Sequence, residues 1–514
     1  EFSDKVESYR LQLSEKQNPL NAALTVCVNL LNDNDTINAV IPELISIIKG
    51  GIGLNSINSA CKILIDLAKR KNLQRILRAH SKKAMNSLLA QVVNTSSPHL
   101  KNMYSQVIAY WFGFAKKKYV ENTVALIDKL YFNDETNGGI NDDDKRILSG
   151  IITFNIAKYS LDRISKYNQI ISLAFVASND INEDCSSYWN KVITEFGGKQ
   201  MSLRSNLEIV IELIIKAFND TIYKKKETAI ISIKDLCELY GDNLDSKSLN
   251  ILLNEIVLKS LPGKIWEGKI KLFETLISIT KYCKSYLSKD DELKNDIIKS
   301  LLNEVKRKNK QQIEFKIAAI NCLADVVINL DVCIMDEAIP TFRQYVFDEN
   351  IFNNNDNKYF ELLSCSMKSI GNIWNGDKMV QNKYLSWIIN DCYIDHLNKT
   401  NWMVQLSIYK SMQPFFDKFD LNILMDKESL LLMYKLIETA IMEIGLNNLK
   451  FTAIRYESLI ALYTLLTRMK TNKTEIDKDF MNRIKSKIDE MASNDNKPIV
   501  VQQAIKIQKE IFLQ

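Results

Sequence analysis

The chain has 514 residues, 46% of them hydrophobic and 25% charged, so it can bury a large core. Its 15 glycines and 7 prolines are too few for a sheet-rich fold or for open linkers, since both need turn residues. The net charge of +5 is small for this length, and only 12 of the 67 basic residues are arginine, which argues against a dedicated nucleic-acid surface. No stretch reaches the roughly 18 apolar residues that a membrane span needs, so we expect no direct membrane insertion.

The sequence reads as a succession of amphipathic helices separated by short polar corners. Apolar residues recur in each segment with the 3.6-residue period of a half-buried helix. The alternation typical of β-strands is nearly absent. In chain order, clear examples are NAVIPELISIIK (38–49), NSACKILIDLAKR (58–70), VENTVALIDKLYF (120–132), SNLEIVIELIIKAF (205–218), NILLNEIVLKSL (250–261) and AIRYESLIALYTLLTRM (453–469).

These helices fall into pairs that repeat along the chain. A large apolar residue opens the second helix of most pairs, and from residue 222 onward successive members lie 42 to 49 residues apart. HEAT and armadillo units have a similar period of about 40–47 residues. The series is Ile57, Leu100, Ile222, Trp266, Phe315, Phe360, Trp402, Phe451 and Ile499.

Four prolines support the same organisation. Pro42 and Pro340 lie inside first helices, where a proline bends the helix, and Pro98 and Pro498 lie where second helices would begin. Since one hairpin buries only one apolar stripe, stacking is needed to complete the core. We therefore predict an all-α fold, a curved and elongated α-solenoid of about 11–12 HEAT-like hairpins. It should form one continuous array over residues 3–514, with mobile loops at 133–144 and 349–358.

Motifs for catalysis are absent from the sequence. It contains no G-x-S-x-G, no H-E-x-x-H and no Walker loop, and GGIGL at 50–54 reads as a corner between helices because no strand precedes it. The three histidines lie far apart, and the nine scattered cysteines resemble the reduced core thiols of a cytosolic or nuclear protein. We expect no enzyme activity, no metal and no cofactor.

Basic clusters are the main candidates for contacts with partners. Lysines near helix ends are ordinarily solvated and complement the helix dipole, which is the first interpretation. The second is a basic edge that docks against acidic protein surfaces. The candidate contact residues are Lys116, Lys117, Lys118, Lys224, Lys225 and Lys226.

The segment PGKIWEGK, residues 262–269, suggests either a ligand loop or a corner between two packed helices. In the second interpretation Trp266 is a buried apolar anchor, and Gly263 ends the preceding helix in the left-handed conformation. Gly268 then allows a close backbone approach, and Lys264 and Lys269 lie in solvent. We favour the corner.

Four motifs resemble the C-terminal portion of the large HEAT-repeat proteasome adaptor and scaffold protein family, in the same order and at similar distances. They are GGIGLNSINSACKILIDL, NIAKYSLDRISKYNQIISLAFVAS, SSYWNKVITEFGG and SLPGKIWEGK, within residues 18 to 285. The order Ala60-Cys61 and Lys264 in place of arginine depart from the family pattern. The matching residues are Gly51, Gly53, Leu54, Cys61, Tyr159, Ser160, Leu173, Ala174, Phe175, Trp189, Phe196, Gly197, Gly198, Gly263, Trp266, Gly268 and Lys269.

The resemblance implies a non-enzymatic proteasome scaffold that bridges core and regulatory particles and acts in assembly quality control. It implies proteasome subunits as partners, a cytoplasmic and nuclear location, no nucleic-acid partner and a monomeric chain. The matched residues look architectural, so they identify no contact site. Because the chain starts with Glu1 rather than Met, we expect a fragment of a longer protein. The alternative is a helical-repeat transport receptor or another HEAT scaffold that binds acidic protein surfaces.

Overall fold

The computed structural model describes Val26, Val28, Leu30, Leu31 and residues 33–50, 53–132, 141–307, 313–347, 357–474 and 477–512. Every regular element within these ranges is a helix, which confirms the predicted all-α class. The chain divides into two compact units, residues 1–240 and residues 241–514. The single continuous array over residues 3–514 stays a prediction.

In its described residues, unit 1 contains α-helices and one short 3₁₀ segment at Lys71–Leu73. The helices are α1 (Asn34–Gly50), α2 (Leu54–Lys69), α3 (Gln74–Ala79), α4 (Ser81–Asn94), α5 (Pro98–Phe112), α6 (Lys117–Phe132), α7 (Asp142–Ile164), α8 (Asn168–Ala177), α9 (Glu183–Glu195), α10 (Lys199–Arg204), α11 (Leu207–Phe218) and α12 (Tyr223–Tyr240). The first helices α1, α4, α6, α8 and α11 pack in one layer, and the second helices α2, α5, α7 and α9 pack in another.

Unit 2 repeats this arrangement, with π-helical stretches at 251–258, 387–395, 436–446 and 508–512 and 3₁₀ turns at 241–243, 267–269 and 421–425. Its α-helices are α13 (Ser246–Asn250), α14 (Ile270–Tyr282), α15 (Lys284–Leu287), α16 (Asp291–Lys306), α17 (Ile313–Leu330), α18 (Met335–Val346), α19 (Asn357–Asn372), α20 (Lys378–Ser386), α21 (His396–Lys399), α22 (Trp402–Lys418), α23 (Lys427–Lys435), α24 (Thr452–Thr471), α25 (Lys478–Asn494) and α26 (Pro498–Ile507). The second helices α14, α17, α19, α22, α24 and α26 stack in series.

The prolines lie where the sequence predicts them. Pro42 and Pro340 are inside α1 and α18, and Pro98 and Pro498 occupy the first turns of α5 and α26. In the first turn of a helix the backbone N–H groups have no intrahelical acceptor, so Pro98 and Pro498 remove no helical hydrogen bond.

Both predicted loops are shorter than expected at their C-terminal ends. Asn141 accepts a hydrogen bond from Asp143 N and caps α7, so residues 142–144 form the first helical turn. Acidic side chains there favour a helix because they face the positive end of its dipole. The second loop ends before Asn357, where α19 begins. The remaining parts of the two predicted loops, 133–140 and 349–356, lie outside the described residues.

Arginines at the ends of second helices connect consecutive repeats. Arg163 donates to the carbonyl oxygens of Phe112 at 2.8 Å and Ala115 at 2.5 Å, at the end of α5. A helix leaves its last four carbonyls without intrahelical partners, and a cation satisfies them and the negative end of the dipole. Two further arginines do the same: Arg70 to Val28 and Leu31, and Arg468 to Phe416 and Phe419.

We predict that Arg163→Gln weakens this connection by about 2 kcal/mol, because two hydrogen bonds from a charged donor are lost. Hydrogen exchange measured by mass spectrometry should show faster exchange at the end of α5. Arg75, which is exposed, provides a matched control, and Arg75→Gln should stay within about 0.5 kcal/mol of the parent chain. Equal protection of α5 in the parent chain and both variants would contradict this role.

Candidate functional site

The first lysine cluster lies at the start of α6, fully on the surface. Lys116, Lys117 and Lys118 are all exposed, and Lys117 pairs loosely with Glu121 at 3.6 Å. We expected lysines at helix ends to complement the helix dipole, and this is wrong here. The cluster lies at the N-terminus of α6, which is the positive end of the dipole. Within the described part of the chain, Lys116 and Lys118 have no carboxylate within ion-pair distance. Lys116 and Lys118 therefore present positive charge that no described carboxylate pairs with.

The second cluster is not one surface. Lys224 is exposed and pairs with Asp143 at 2.7 Å, and Lys226 is half-buried with its Nζ 5.7 Å from the ring centroid of Tyr223. Lys225 is only 1% exposed, so its prediction as a partner contact is wrong. Successive side chains of a helix point about 100° apart, and Lys225 lies on the packed side of α12.

Lys225 instead belongs to a buried connection between helices. Its Nζ donates to the carbonyl oxygen of Phe132 at 2.8 Å and to Asp220 Oδ2 at 3.0 Å. It also lies 3.6 Å from Asp142 Oδ1. A buried cation is tolerated only when it is paired in this way.

Next to Lys225 lies an ionic network around Arg146, whose side chain is 0% exposed. Arg146 donates to Asp180 and to Asp143, the latter at 2.5 Å, and Tyr131 Oη donates to Asp180 at 3.1 Å. Burial lowers the pKa of Arg146, but the nearby Asp180 and Tyr131 raise it by more, so the net shift is upward. Burial and then Asp180 raise the pKa of Tyr131. We did not predict this network, because DDDKR at 142–146 looks like the end of a polar loop.

The corner at 262–269 corrects two expectations. Lys269 is 0% exposed rather than solvated, and Trp266 is half-buried rather than a fully buried anchor. Lys269 Nζ lies 3.5 Å from Glu304 Oε2. Burial lowers the pKa of Lys269 by more than Glu304 raises it, so the net shift is downward. Glu304 also accepts from Arg307 at 3.0 Å. The buried anchor of this corner is therefore the ion pair between Lys269 and Glu304 on α16, and not Trp266. We did not predict this pair, because the local spacing of residues cannot show a partner 35 residues away.

The remaining features of this corner agree with the sequence analysis. Gly263 has the expected left-handed φ of +96°, although the preceding helix ends at residue 260 rather than at this glycine, and Gly268 is buried. Lys264 is exposed. Lys269 Nζ lies 3.4 Å from the carbonyl oxygen of Gly263 and 5.4 Å from the ring centroid of Phe315 on α17. These contacts support a corner between packed helices.

We predict that Lys269→Ala destabilises this corner by about 3 kcal/mol, because Glu304 then loses one of its two cations in a buried setting. Lys264→Ala is the matched control and should change stability by less than about 0.5 kcal/mol. Trp266→Ala should cost about 1–2 kcal/mol, since its ring is only half-buried. Urea unfolding followed by circular dichroism measures all three. A neutral Lys269→Ala variant would contradict the ion-pair assignment.

Several of the other residues that match the family pattern are buried side chains or glycines in left-handed conformations, whereas Leu54, Tyr159, Ser160 and Phe196 are half-buried. Cys61, Phe175 and Trp189 are 0% exposed, and burial raises the pKa of the Cys61 thiol to about 12. Gly53 and Gly197 have φ of +96° and +88°, and Gly51 lies outside the described residues. These positions are consistent with an architectural role, which stays a prediction.

Trp189 shows why one neighbouring position must be glycine. A Cβ at Gly150 on α7 would lie 3.2 Å from Trp189 Cδ1 and 2.9 Å from the Cβ of Tyr188 on α9. Tyr131 meets the indole edge-on, with ring centroids 6.1 Å apart. Any larger residue at Gly150 would push α7 away from α9.

Other kinds of site were sought in the same residues. In the described ranges, no helix has the length and apolarity that a membrane crossing requires. No group of three or more His, Cys, Asp or Glu side chains there is placed to hold a metal ion. All eight cysteines that the structure describes are free thiols, and seven of them are buried.

A cavity of about 780 Å³ in unit 2 has a polar lining that includes Gln381, Lys418 and Arg468. Lys418 and Arg468 donate to backbone carbonyls of the preceding repeat, including that of Asn372 from Lys418 at 3.2 Å, and Gln381 donates to the carbonyl oxygen of Lys418 within its own hairpin. The cavity therefore lies among the connections between repeats.

Stacked helical hairpins joined by such connections define an α-solenoid of the HEAT and armadillo class. Two family models match this chain: the HEAT-repeat domain of the proteasome adapter and scaffold protein ECM29 over residues 1–132, and the C-terminal ARM-like repeats of ECM29 over residues 280–510. The chain belongs to the ECM29 family, which confirms the resemblance seen in the sequence. The second model describes ARM-like repeats, where we expected HEAT-like hairpins throughout.

Individual relatives agree with the family models. The human proteasome adapter and scaffold protein ECM29 is 23% identical over 502 residues, which cover 91% of this chain and 26% of the human protein. The proteasome component ECM29 of Saccharomyces cerevisiae is 21% identical over 293 residues, 55% of this chain and 15% of that protein. The chain thus spans about a quarter of the human relative. A crystal structure of Kap121p has a TM-score of 0.47 at 13% identity, covering 98% of this chain and 48% of that chain.

Proposed function

We propose that this chain is part of a proteasome-associated scaffold that bridges or stabilises the core and regulatory particles and takes part in assembly quality control. The main support is membership of the ECM29 family, through matches over residues 1–132 and 280–510. The human, yeast and fly relatives are named as proteasome adapter, component and associated protein. This support favours a proteasome scaffold over the transport-receptor alternative.

The fold supplies a physical basis for such a role. A stacked array presents many surfaces at fixed spacing, so several weak contacts can add up to a firm attachment. The exposed Lys116–Lys118 cluster fits acidic surfaces on a partner, whereas Lys224 already pairs with Asp143. The chain acts without catalysis or a cofactor in this proposal, as a monomer in the cytoplasm and nucleus, with proteasome subunits and no nucleic acid as partners.

Recovery of proteasomes with the tagged protein from cell lysate tests the proposal. We expect co-purification that weakens as salt rises through about 0.15 M, because exposed charges are screened at that ionic strength. Replacing Lys116, Lys117 and Lys118 together by Gln should lower recovery at least about threefold, since exposed ion pairs contribute about 0.2–1 kcal/mol each.

The matched control replaces three exposed lysines elsewhere, Lys259, Lys289 and Lys427, by Gln. It removes the same charge and should leave recovery unchanged. Failure of the unmodified protein to recover proteasomes above an unrelated tagged protein would overturn the proposed function. Equal recovery with both triple variants would remove only the Lys116–Lys118 contact.

A further inference from the structure

A pair of stacked tyrosines joins consecutive second helices of unit 1. Tyr110 on α5 and Tyr159 on α7 are both half-buried, with ring centroids 4.5 Å apart and an interplanar angle of 22°. Lys69 from α2 places its Nζ 5.6 Å from the Tyr110 centroid, and Lys158 places its Nζ 5.4 Å from the Tyr159 centroid. The two stacked rings thus each carry a lysine, in a group that spans three neighbouring helices.

The same pattern continues onto the next helix. Lys191 on α9 has its Nζ 4.8 Å from the ring centroid of Tyr188 and 5.8 Å from that of Phe154 on α7. Together these side chains form what we call the aromatic–lysine row: Lys69, Tyr110, Phe154, Lys158, Tyr159, Tyr188 and Lys191.

The backbone next to Tyr159 fixes the row to α5. Ser160 leaves the helical conformation, with φ −144° and ψ 39°, and its Oγ donates to the carbonyl oxygen of Ala109 at 2.7 Å. A Cβ at Gly113 would lie 3.0 Å from that Oγ, so a small residue is needed there. Because Ser160 is held against the end of α5, the adjacent Tyr159 ring is held against Tyr110.

The cations of the row are accessible. Lys158 and Lys191 are exposed, and neither has a carboxylate within ion-pair distance in the described ranges. Lys69 is about half exposed and pairs with Asp66 at 3.3 Å, with both side chains in solvent. Contact with an aromatic ring attracts an ammonium group yet leaves its N–H groups free to donate.

We propose that the aromatic–lysine row binds an extended acidic segment of a partner protein. Packed helices lie about 8–10 Å apart, and an extended chain rises about 3.3 Å per residue. A carboxylate at every third position would therefore meet a lysine or a tyrosine hydroxyl on each successive helix. The identification of that partner with a proteasome subunit rests on the proposed function, whereas the chemistry of the row does not.

The arrangement of the rings favours a peptide over a nucleic acid. Binding of single strands relies on aromatic faces that are open for bases to stack on. Here Tyr110 and Tyr159 cover one face of each other, and Lys69 and Lys158 lie over these same rings. Their edges and hydroxyl groups remain for contacts with carboxylates.

The test uses the whole chain and a fluorescein-labelled peptide of about 12 residues, enough to cross roughly four helices, with Glu at every third position. Fluorescence anisotropy should show binding that weakens with salt. The double variant Lys158→Gln, Lys191→Gln should bind about fivefold more weakly, the scale expected for two exposed ion pairs. Tyr110→Leu with Tyr159→Leu should weaken binding as well, with the circular dichroism spectrum unchanged.

The control is Lys259→Gln with Lys427→Gln, which removes the same charge from exposed positions in unit 2 and should leave the affinity unchanged. Equal loss in both double variants, or tighter binding of a single-stranded oligonucleotide than of the peptide, would overturn the proposal. Proteasome recovery with the Lys158, Lys191 variant is a separate measurement, and it decides only whether the row contributes to the proposed function.

Discussion

The stacking of this protein depends on cations that satisfy the carbonyl ends of neighbouring helices. A hairpin of two amphipathic helices buries one stripe and leaves open carbonyls at each helix end. Arg163 and Arg468 donate to such carbonyls at the end of the preceding second helix, and Lys418 donates to Asn372 at 3.2 Å in the same way. Each contact joins residues about one repeat apart, so it fixes the position of one hairpin on the next as well as satisfying polar groups.

This constraint separates two uses of basic residues. Arg70, Arg163 and Arg468, at the ends of second helices, bind carbonyls within the array, and Lys225 and Lys269 form buried ion pairs. Other basic residues stay on the surface, and among them Lys116, Lys118, Lys158 and Lys191 have no carboxylate within ion-pair distance in the described ranges. A mildly basic chain of this kind therefore keeps localised positive surfaces, although its net charge is only +5.

Much of the fold could be predicted from local patterns, and the burial of individual charges could not. Helical periodicity, the internal prolines and the left-handed glycines each follow from a few neighbouring residues. The burial of Lys269 depends on Glu304, and that of Lys225 depends on Asp220 and a carbonyl 93 residues away, contacts that only the packed repeats create. The repeat series located second helices well but not their exposure, since Trp402 is 45% and Ile499 50% exposed. Of the candidate contacts, Lys116–Lys118 lie on the surface as expected. The aromatic–lysine row was not predicted, because its members come from four separate segments of the sequence.

Cross-linking of co-isolated proteasomes with an amine-reactive reagent, followed by mass spectrometry, tests the division between structural and contact lysines most directly. The account predicts cross-links to proteasome subunits from the Lys116–Lys118 cluster or from Lys158 and Lys191, and none from Lys225 or Lys269. Cross-links to the proteasome that come from Lys225 or Lys269, or that come only from lysines outside both surfaces, such as Lys259 and Lys427, would contradict it.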